Sequence, residues 1–428
     1  MDGETAVRHE GKSKPMEVTA SRFLGPRMVI FAALLMNMSI GLTYGALGAL
    51  MLAMETRFAA TRSEVSLTIA FVVLTNSIVA PFVSTLARRF SLRAMMISGA
   101  LLGGIGYLLL PFAHGPEQML LVFAILIGPG GALMGATPAY ILVTNWYVAG
   151  QGRALGIVNM PVMIMIVPLV VAAVLPTFGL EVVLRFLGVG FLAGVLPALF
   201  VIDRPEFVGQ AAAGRDTQLP REIVESGAQV VPTAYLLRNG YFLLMTLGVG
   251  LIVGAGVAKT AHLVPLLTER GWSVSSAAVL LSISGGTGIA GSLLFGYLAD
   301  RFNAGVTLAL NAAIQAAVWI ILLLPVGYPL LVLDAIIIGA CGGGVVAAHG
   351  VLATRLFGPE SFGKIVGVTG PMTIPFLFGM GPLAGILRDK TGNYGFAVSI
   401  FIAGFLIASI SFLILALRER RKTAVWPG

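Results

Sequence analysis

Apolar runs of about twenty residues recur along almost the whole chain, and nothing else in it constrains the fold as strongly. A hydrocarbon core about 30 Å thick takes roughly 20 helical residues to cross. Twelve such runs can be drawn, at 28–54, 65–87, 94–113, 118–144, 154–176, 182–202, 241–268, 274–299, 304–326, 329–353, 365–387 and 395–417. The chain is 57% hydrophobic and 11% charged, against about 25% charged in soluble domains. The expected fold class is therefore an all-α polytopic membrane protein embedded in the lipid bilayer. Its 54 glycines suit helices that pack closely in lipid. The lone Cys341 lies inside an apolar run, which excludes a disulfide framework.

Twelve crossings place both termini on one side, and most of the 27 Lys and Arg fall in the tails, linker and loops of that side. Basic residues collect in the cytoplasm, so we expect an inner-membrane protein with both termini cytoplasmic. The net charge of +8 is then an orientation signal and not a nucleic-acid surface. Residues 1–26 show no short apolar core or cleavage site and are expected to form a cytoplasmic tail. A polar stretch at 203–239, with Pro205, Pro220 and Pro232, divides the spans into bundles at 27–202 and 240–417, followed by a tail at 418–428. The bundles repeat one another. STLARRF (Ser84–Phe90) aligns with GYLADRF (Gly296–Phe302), and METRF leads into span two as LTERG leads into span eight. Thr61 and Glu64 in TRSE can form a capping box. Duplicated bundles with a site at their interface are a common layout of secondary transporters.

GYLADRF resembles the Gly-x-x-x-Asp-Arg loop signature of the major facilitator superfamily. HLVPLLTERG in span seven, NWYVAGQGRALG (Asn145–Gly156), LFGPESFGKIVG (Leu356–Gly367) and DKTGNYGFA (Asp389–Ala397) are similar to the bacterial branch grouped with monocarboxylate transporters and oxalate:formate antiporters. The resemblance implies a rocker-switch carrier whose cavity is lined by spans one, four, seven and ten, with parts of two, five, eight and eleven. It implies that Gly296 allows close helix approach and that Asp300 and Arg301 form charge pairs holding one gate shut. The first-half copy departs from the signature, with Arg88 in place of aspartate and Ser84 and Ser91 in place of glycine. Span eight carries no charge, span one none from Met28 to Met54, and span eleven no lysine. The cations with which such carriers hold their anions are therefore missing.

Ionisable residues inside a bilayer are costly and point to function. Lys259 precedes Glu269 by ten residues, about 15 Å of helix at 1.5 Å per residue. It either snorkels outward where Pro265 breaks the helix or meets substrate. His262, three residues on, shares its face; together they would present ammonium and imidazole donors to a carboxylate, or His262 packs against a backbone carbonyl. Asp334 in span ten either faces the helix dipole or pairs with Lys259, a pair that substrate or proton would open. His349, nearer the cytoplasm, either carries a proton or is packed between helices. Asn37 and Tyr44 lie on one face of span one, with Asn76 in span two, Thr137, Tyr140 and Asn145 in span four and Asn159 in span five. Each either lines the cavity or hydrogen-bonds between helices. Spans five and eleven each carry three prolines, Pro161, Pro168 and Pro176 against Pro371, Pro375 and Pro382, and are expected to bend.

The expected function is secondary transport of a small organic acid, a monocarboxylate, with the proton as coupling ion. The alternative is efflux of amphipathic compounds, favoured by the Met-rich NMPVMIMIVP (Asn159–Pro168); a non-transporting membrane receptor is a remote third. No HExxH, Gly-x-Ser-x-Gly or nucleotide-binding loop occurs, so neither an enzyme nor a cofactor or metal is expected.

Overall fold

The computed structural model describes residues 23–87, 89–147, 150–214, 231–358 and 361–425. Arg88, the tail up to residue 22 and the middle of the linker lie outside them. The described chain is a bundle of long apolar helices: α1 (Gly25–Phe58), α2 (Arg62–Leu86), α3 (Leu92–Phe112), α4 (Pro116–Trp146), α5 (151–178), α6 (180–199), α7 (Gly240–Glu269), α8 (Val274–Arg301), α9 (Ala304–Leu323), α10 (Tyr328–Phe357), α11 (Phe362–Thr391) and α12 (Gly395–Val425).

By length and composition alone the described residues offer 11 candidate crossings, because the stretch Arg153–Leu199 is continuous. Its 47 residues would reach about 70 Å if straight, more than twice the hydrocarbon thickness. Gly179 resolves this: its φ of 76° reverses the chain, a conformation open to glycine and strained for other residues. Beyond the reversal the chain returns to its starting depth. Met163 packs on Gly41, and Gly190 packs on the adjoining Leu42. The stretch is two crossings, and the described residues make twelve.

Helix ends follow the sequence signals and repeat between the halves. Thr61 and Glu64 close a reciprocal capping box, Thr61 N donating to Glu64 Oε2 at 2.7 Å and Glu64 N to Thr61 Oγ1 at 3.2 Å. This starts α2 at Arg62, three residues earlier than its apolar pattern. Ser273, in the equivalent place, caps α8 through Ser276 N. Ser91 caps α3 and its counterpart Asn303 caps α9. Arg57 reaches the carbonyls of Pro111 and Ala113 at the end of α3, and Arg270 reaches those of Leu322 and Leu324 at the end of α9. Each satisfies carbonyls that a helix end leaves without partners.

Buried side chains fall into two clusters. One spans Met28 to Val201 and takes in Ala261 of α7; the other spans Leu236 to Leu415. Within the second, α8 and α10 touch backbone to backbone. A Cβ on Gly291 would stand 1.9 Å from Ala340 O, and one on Gly343 would stand 2.0 Å from Gly288 O. Lipid offers no hydrophobic drive for helices to associate, so this contact rests on close packing. Gly291→Val should therefore separate α8 from α10, at a cost of roughly 1–3 kcal/mol or more, and lower the yield of monodisperse protein and its Tm. Gly342→Ala, at a position with open space around it, should change neither.

Candidate substrate site and gate

The polar residues of the second half converge on α7. Lys259 is half-buried and its Nζ donates to Ser284 Oγ of α8 at 2.5 Å. Lys259 also interacts electrostatically with Asp334 of α10, though the two do not close to ion-pair distance. Asp334 is 3% exposed and its Oδ1 has no hydrogen-bond partner. A buried carboxylate oxygen without a donor is costly, so this arrangement is poised to accept a proton or a closer cation. Ser284 escaped the sequence reading because span eight stood out only for lacking charge. The polar run Ser284–Thr287 was the available signal.

His262 shares a turn with Lys259 but its ring turns elsewhere. Its Nε2 lies 2.9 Å from Gly381 O in α11, and its Nδ1 lies 2.9 Å from Tyr394 OH at the start of α12. A carbonyl only accepts, so Nε2 carries a proton. The two stems border one apolar recess with Trp319, Leu322 and Phe401, yet the ammonium faces α8 and α10 while the imidazole faces α11 and α12. The expected two-donor grip is not assembled here, because both ring nitrogens are engaged within the protein. His349 is buried with Nε2 unpartnered. It sits about 22 Å along α10 from Asp334, so the two form separate sites.

In the first half, the expected polar residues meet at breaks in the helices. α5 is interrupted at Asn159–Pro161, between helical segments Gln151–Val158 and Val162–Ala193. Tyr140 OH donates to Asn159 Oδ1 at 2.5 Å in an exposed position. Asn37 Oδ1 accepts from Met163 N at 3.1 Å, satisfying an amide that the break frees. Tyr44 OH accepts from Asn76 Nδ2 at 3.3 Å and lies within a π-helical turn, Gly41–Gly45, packed on the same part of α5. Such turns occur often at functional sites. Spans five and eleven, alike in proline count, differ here: α11 holds Pro371, Pro375 and Pro382 without a break in its helical run.

In the signature loop, a Cβ on Gly296 would meet Ala347 Cβ at 3.4 Å, an ordinary contact. Arg301 donates to Tyr297 OH at 2.5 Å, and Arg355 donates to the carbonyls of Asp300 and Phe302, each at 2.7 Å. Among the described residues the Asp300 carboxylate and Arg301 make no ion pair.

Among the described residues, the ion pairing between halves lies at the opposite end and centres on Arg62, which the sequence reading missed. The Arg62 side chain is 2% exposed. Its guanidinium donates to Tyr394 OH at 2.7 Å, to Glu269 Oε1 at 3.2 Å and to Glu55 Oε2 at 3.1 Å, and its Nε also contacts Glu55. Arg388 Nε donates to Glu269 Oε1 at 2.8 Å, and Ser63 N to Asp389 Oδ2 at 3.0 Å. A Cβ on Gly385 would stand 2.6 Å from Ser63 Cα, so the halves touch closely here. This end is latched, whereas Asn159 and Met160 near the other end are exposed.

Residues 30–374 match the Major Facilitator Superfamily. The chain belongs to that superfamily. It is 27% identical over 387 residues to monocarboxylate transporter 12 of Rattus norvegicus, covering 84% of this chain and 78% of that one. It is 27% identical over 405 residues to monocarboxylate transporter 11 of Homo sapiens, covering 88% and 80%. Against monocarboxylate transporter 10 of Mus musculus it is 25% identical, covering 76% of this chain and 64% of the relative. Among solved structures, the fold is similar to a D-xylose-proton symporter, with a TM-score of 0.72, 14% identity and coverage of 90% and 96%. It is also similar to an inward-facing bacterial homologue of the lysosomal transporter Spinster, with a TM-score of 0.67, 16% identity and coverage of 95% and 96%. These likenesses make it a multi-pass membrane protein of the transporter fold, not an enzyme.

If Asn37 pins the break in α5, Asn37→Ala frees the Met163 amide. Losing such a bond costs about 1–3 kcal/mol, so the Tm should fall, and proteolysis or hydrogen exchange should rise at 159–165 before other regions.

Proposed function

We propose that this superfamily member is a secondary carrier of a small organic anion, a monocarboxylate, driven by proton symport or by exchange. The observation that carries the reading is the Lys259–Ser284–Asp334 cluster: one cation and one carboxylate with an unpartnered buried oxygen, on α7, α8 and α10 of one half. An arriving carboxylate takes Lys259 as its counter-ion, and a proton neutralises the Asp334 left behind. Tyr140, Asn159, Tyr44 and Asn37 supply the neutral wall opposite, while His262 and His349 are the remaining titratable groups for substrate and proton. The names of the monocarboxylate transporter relatives support the substrate class.

The positive-inside pattern supports an inner-membrane orientation with both termini cytoplasmic. The bundles at 27–202 and 240–417 are the moving units, joined by the linker at 203–239. The latched end is then the outer gate and this state faces inward, while Gly296, Asp300 and Arg301 form the inner gate that pairs when the carrier faces outward. A second reading, efflux of amphipathic compounds, is favoured by the exposed Met160 beside the α5 break.

Purified protein in liposomes should take up labelled monocarboxylates under an inward proton gradient; failure to move any small acid, with export of amphipathic compounds, would decide for efflux. Lys259→Gln should reduce uptake to the level of empty vesicles without loss of folded yield. Asp334→Asn removes the counter-charge of Lys259 and should lower folded yield, abolish acceleration by the proton gradient but preserve exchange; adding Lys259→Gln should partly restore that yield. Independent, additive losses from the two substitutions would rule out pairing.

A further inference from the structure

The hydrogen bonds at the latched end form one directed chain, and its direction fixes a protonation state. Gly381 O can only accept, so His262 Nε2 donates to it. Arg62 can only donate, so Tyr394 OH accepts from it at 2.7 Å. The single hydroxyl proton of Tyr394 is then free for one acceptor, and His262 Nδ1 stands 2.9 Å away. Each of these three contacts pairs one donor with one acceptor when the imidazole is neutral. A proton on Nδ1 would aim two donors, Arg62 and His262, at the tyrosine oxygen and displace the tyrosine proton from its acceptor. It would also put a second cation beside Arg62, in a ring that is 4% exposed.

The charges around this ring do not offset that cost directly. From α2 it faces Arg62; from α12, Tyr394; from α11, Arg388 and Asp389; from α1, Glu55; and from its own helix, Lys259 and Glu269. Glu55 is held by Arg62, Glu269 by Arg62 and Arg388, and Asp389 by Ser63 N and Arg388. Lys259 Nζ is turned to Ser284. Each carboxylate thus already has a donor, and none contacts the imidazole.

We propose that His262 governs the Arg62 latch through Tyr394: the halves close at this end only around a neutral imidazole, and protonation of His262 opens it. Arg62 and Tyr394 are positioning residues, acting on access and not on substrate. This rests on the carrier reading, in which the latched end is a gate, and it adds what controls that gate. Closure then follows loss of the His262 proton, which ties proton movement to the conformational change.

The test reads the gate without substrate. Spin labels are placed on Glu117→Cys in the first half and Ser275→Cys in the second, both exposed near this end, in a Cys341→Ala background. Full-length protein in nanodiscs is measured by pulsed electron–electron resonance between about pH 8 and about pH 5, the range bracketing ordinary imidazole titration. The short-distance, closed population should dominate at high pH, and the long-distance population should rise severalfold at low pH. His262→Gln keeps one donor for Gly381 and one acceptor for Tyr394 but cannot be protonated, so it should stay closed throughout. Tyr394→Phe keeps the ring and removes the relay; it should be more open at high pH and lose most of the pH response. If His262→Gln does not give monodisperse protein, Tyr394→Phe decides by the same reading. A distance distribution that ignores pH in the wild type, or a full response surviving in both variants, overturns the proposal. Opening at low pH without uptake of any solute in liposomes would instead sink the carrier reading and leave the latch standing.

Discussion

Arg62 is where the two halves are held. Its one guanidinium joins α2 to Glu55 of α1, Glu269 of α7 and Tyr394 at the start of α12. A buried charge is tolerable only when paired and fully hydrogen-bonded, so the cation demands that these four elements meet. The demand is met only when the halves are together at this end. Removing any partner leaves a buried charge exposed to the full desolvation cost, which makes the contact two-state and suits it to a gate. The capping box of Thr61 and Glu64 contributes by starting α2 at Arg62 itself, placing the side chain at the seam.

Around this latch the two halves divide their labour. Helix caps and the Arg57 and Arg270 clasps repeat between them, so the scaffold is duplicated. The interior is not. The first half carries breaks: a π-helical turn in α1, another at Phe123–Ile127 in α4, and the interruption of α5 at Asn159–Pro161. The second half has continuous α7, α10 and α11 and holds Lys259 and Asp334 within its spans. Irregular backbone at membrane depth needs its freed groups satisfied; at the α5 break Asn37 accepts from Met163 N, and the Tyr140–Asn159 hydrogen bond is exposed beside it.

Much of this was legible without coordinates. Span number, the capping box, the repeated helix caps and superfamily membership are carried by hydropathy and by local motifs, which need no knowledge of neighbours. The sequence also raises the question of a Lys259–Asp334 pair, since few charges occur in lipid and each needs an answer; the structure couples the two electrostatically without closing an ion pair. The directions of side chains were less accessible. Lys259 and His262 share a helix face, yet one turns to Ser284 and the other to Tyr394, because the partners come from helices remote in sequence. Pro371, Pro375 and Pro382 look as disruptive as Pro161, yet only the α5 proline accompanies a break. Asn37, supplied by α1, holds that break together.

The sequence by itself determined a twelve-span, duplicated membrane fold, since the bilayer sets span length and helix caps act within a few residues. It also determined that Lys259, His262, Asp334 and His349 require an explanation, since lipid makes every such group expensive. Only the tertiary structure decided which of them meet. It turned His262 toward Tyr394 and Gly381, left Asp334 with an unanswered oxygen, and raised Arg62 from an ordinary surface arginine to the link between the halves. Those outcomes depend on hydrogen bonds reaching across hundreds of residues, and only the packed helices bring such partners within 3 Å.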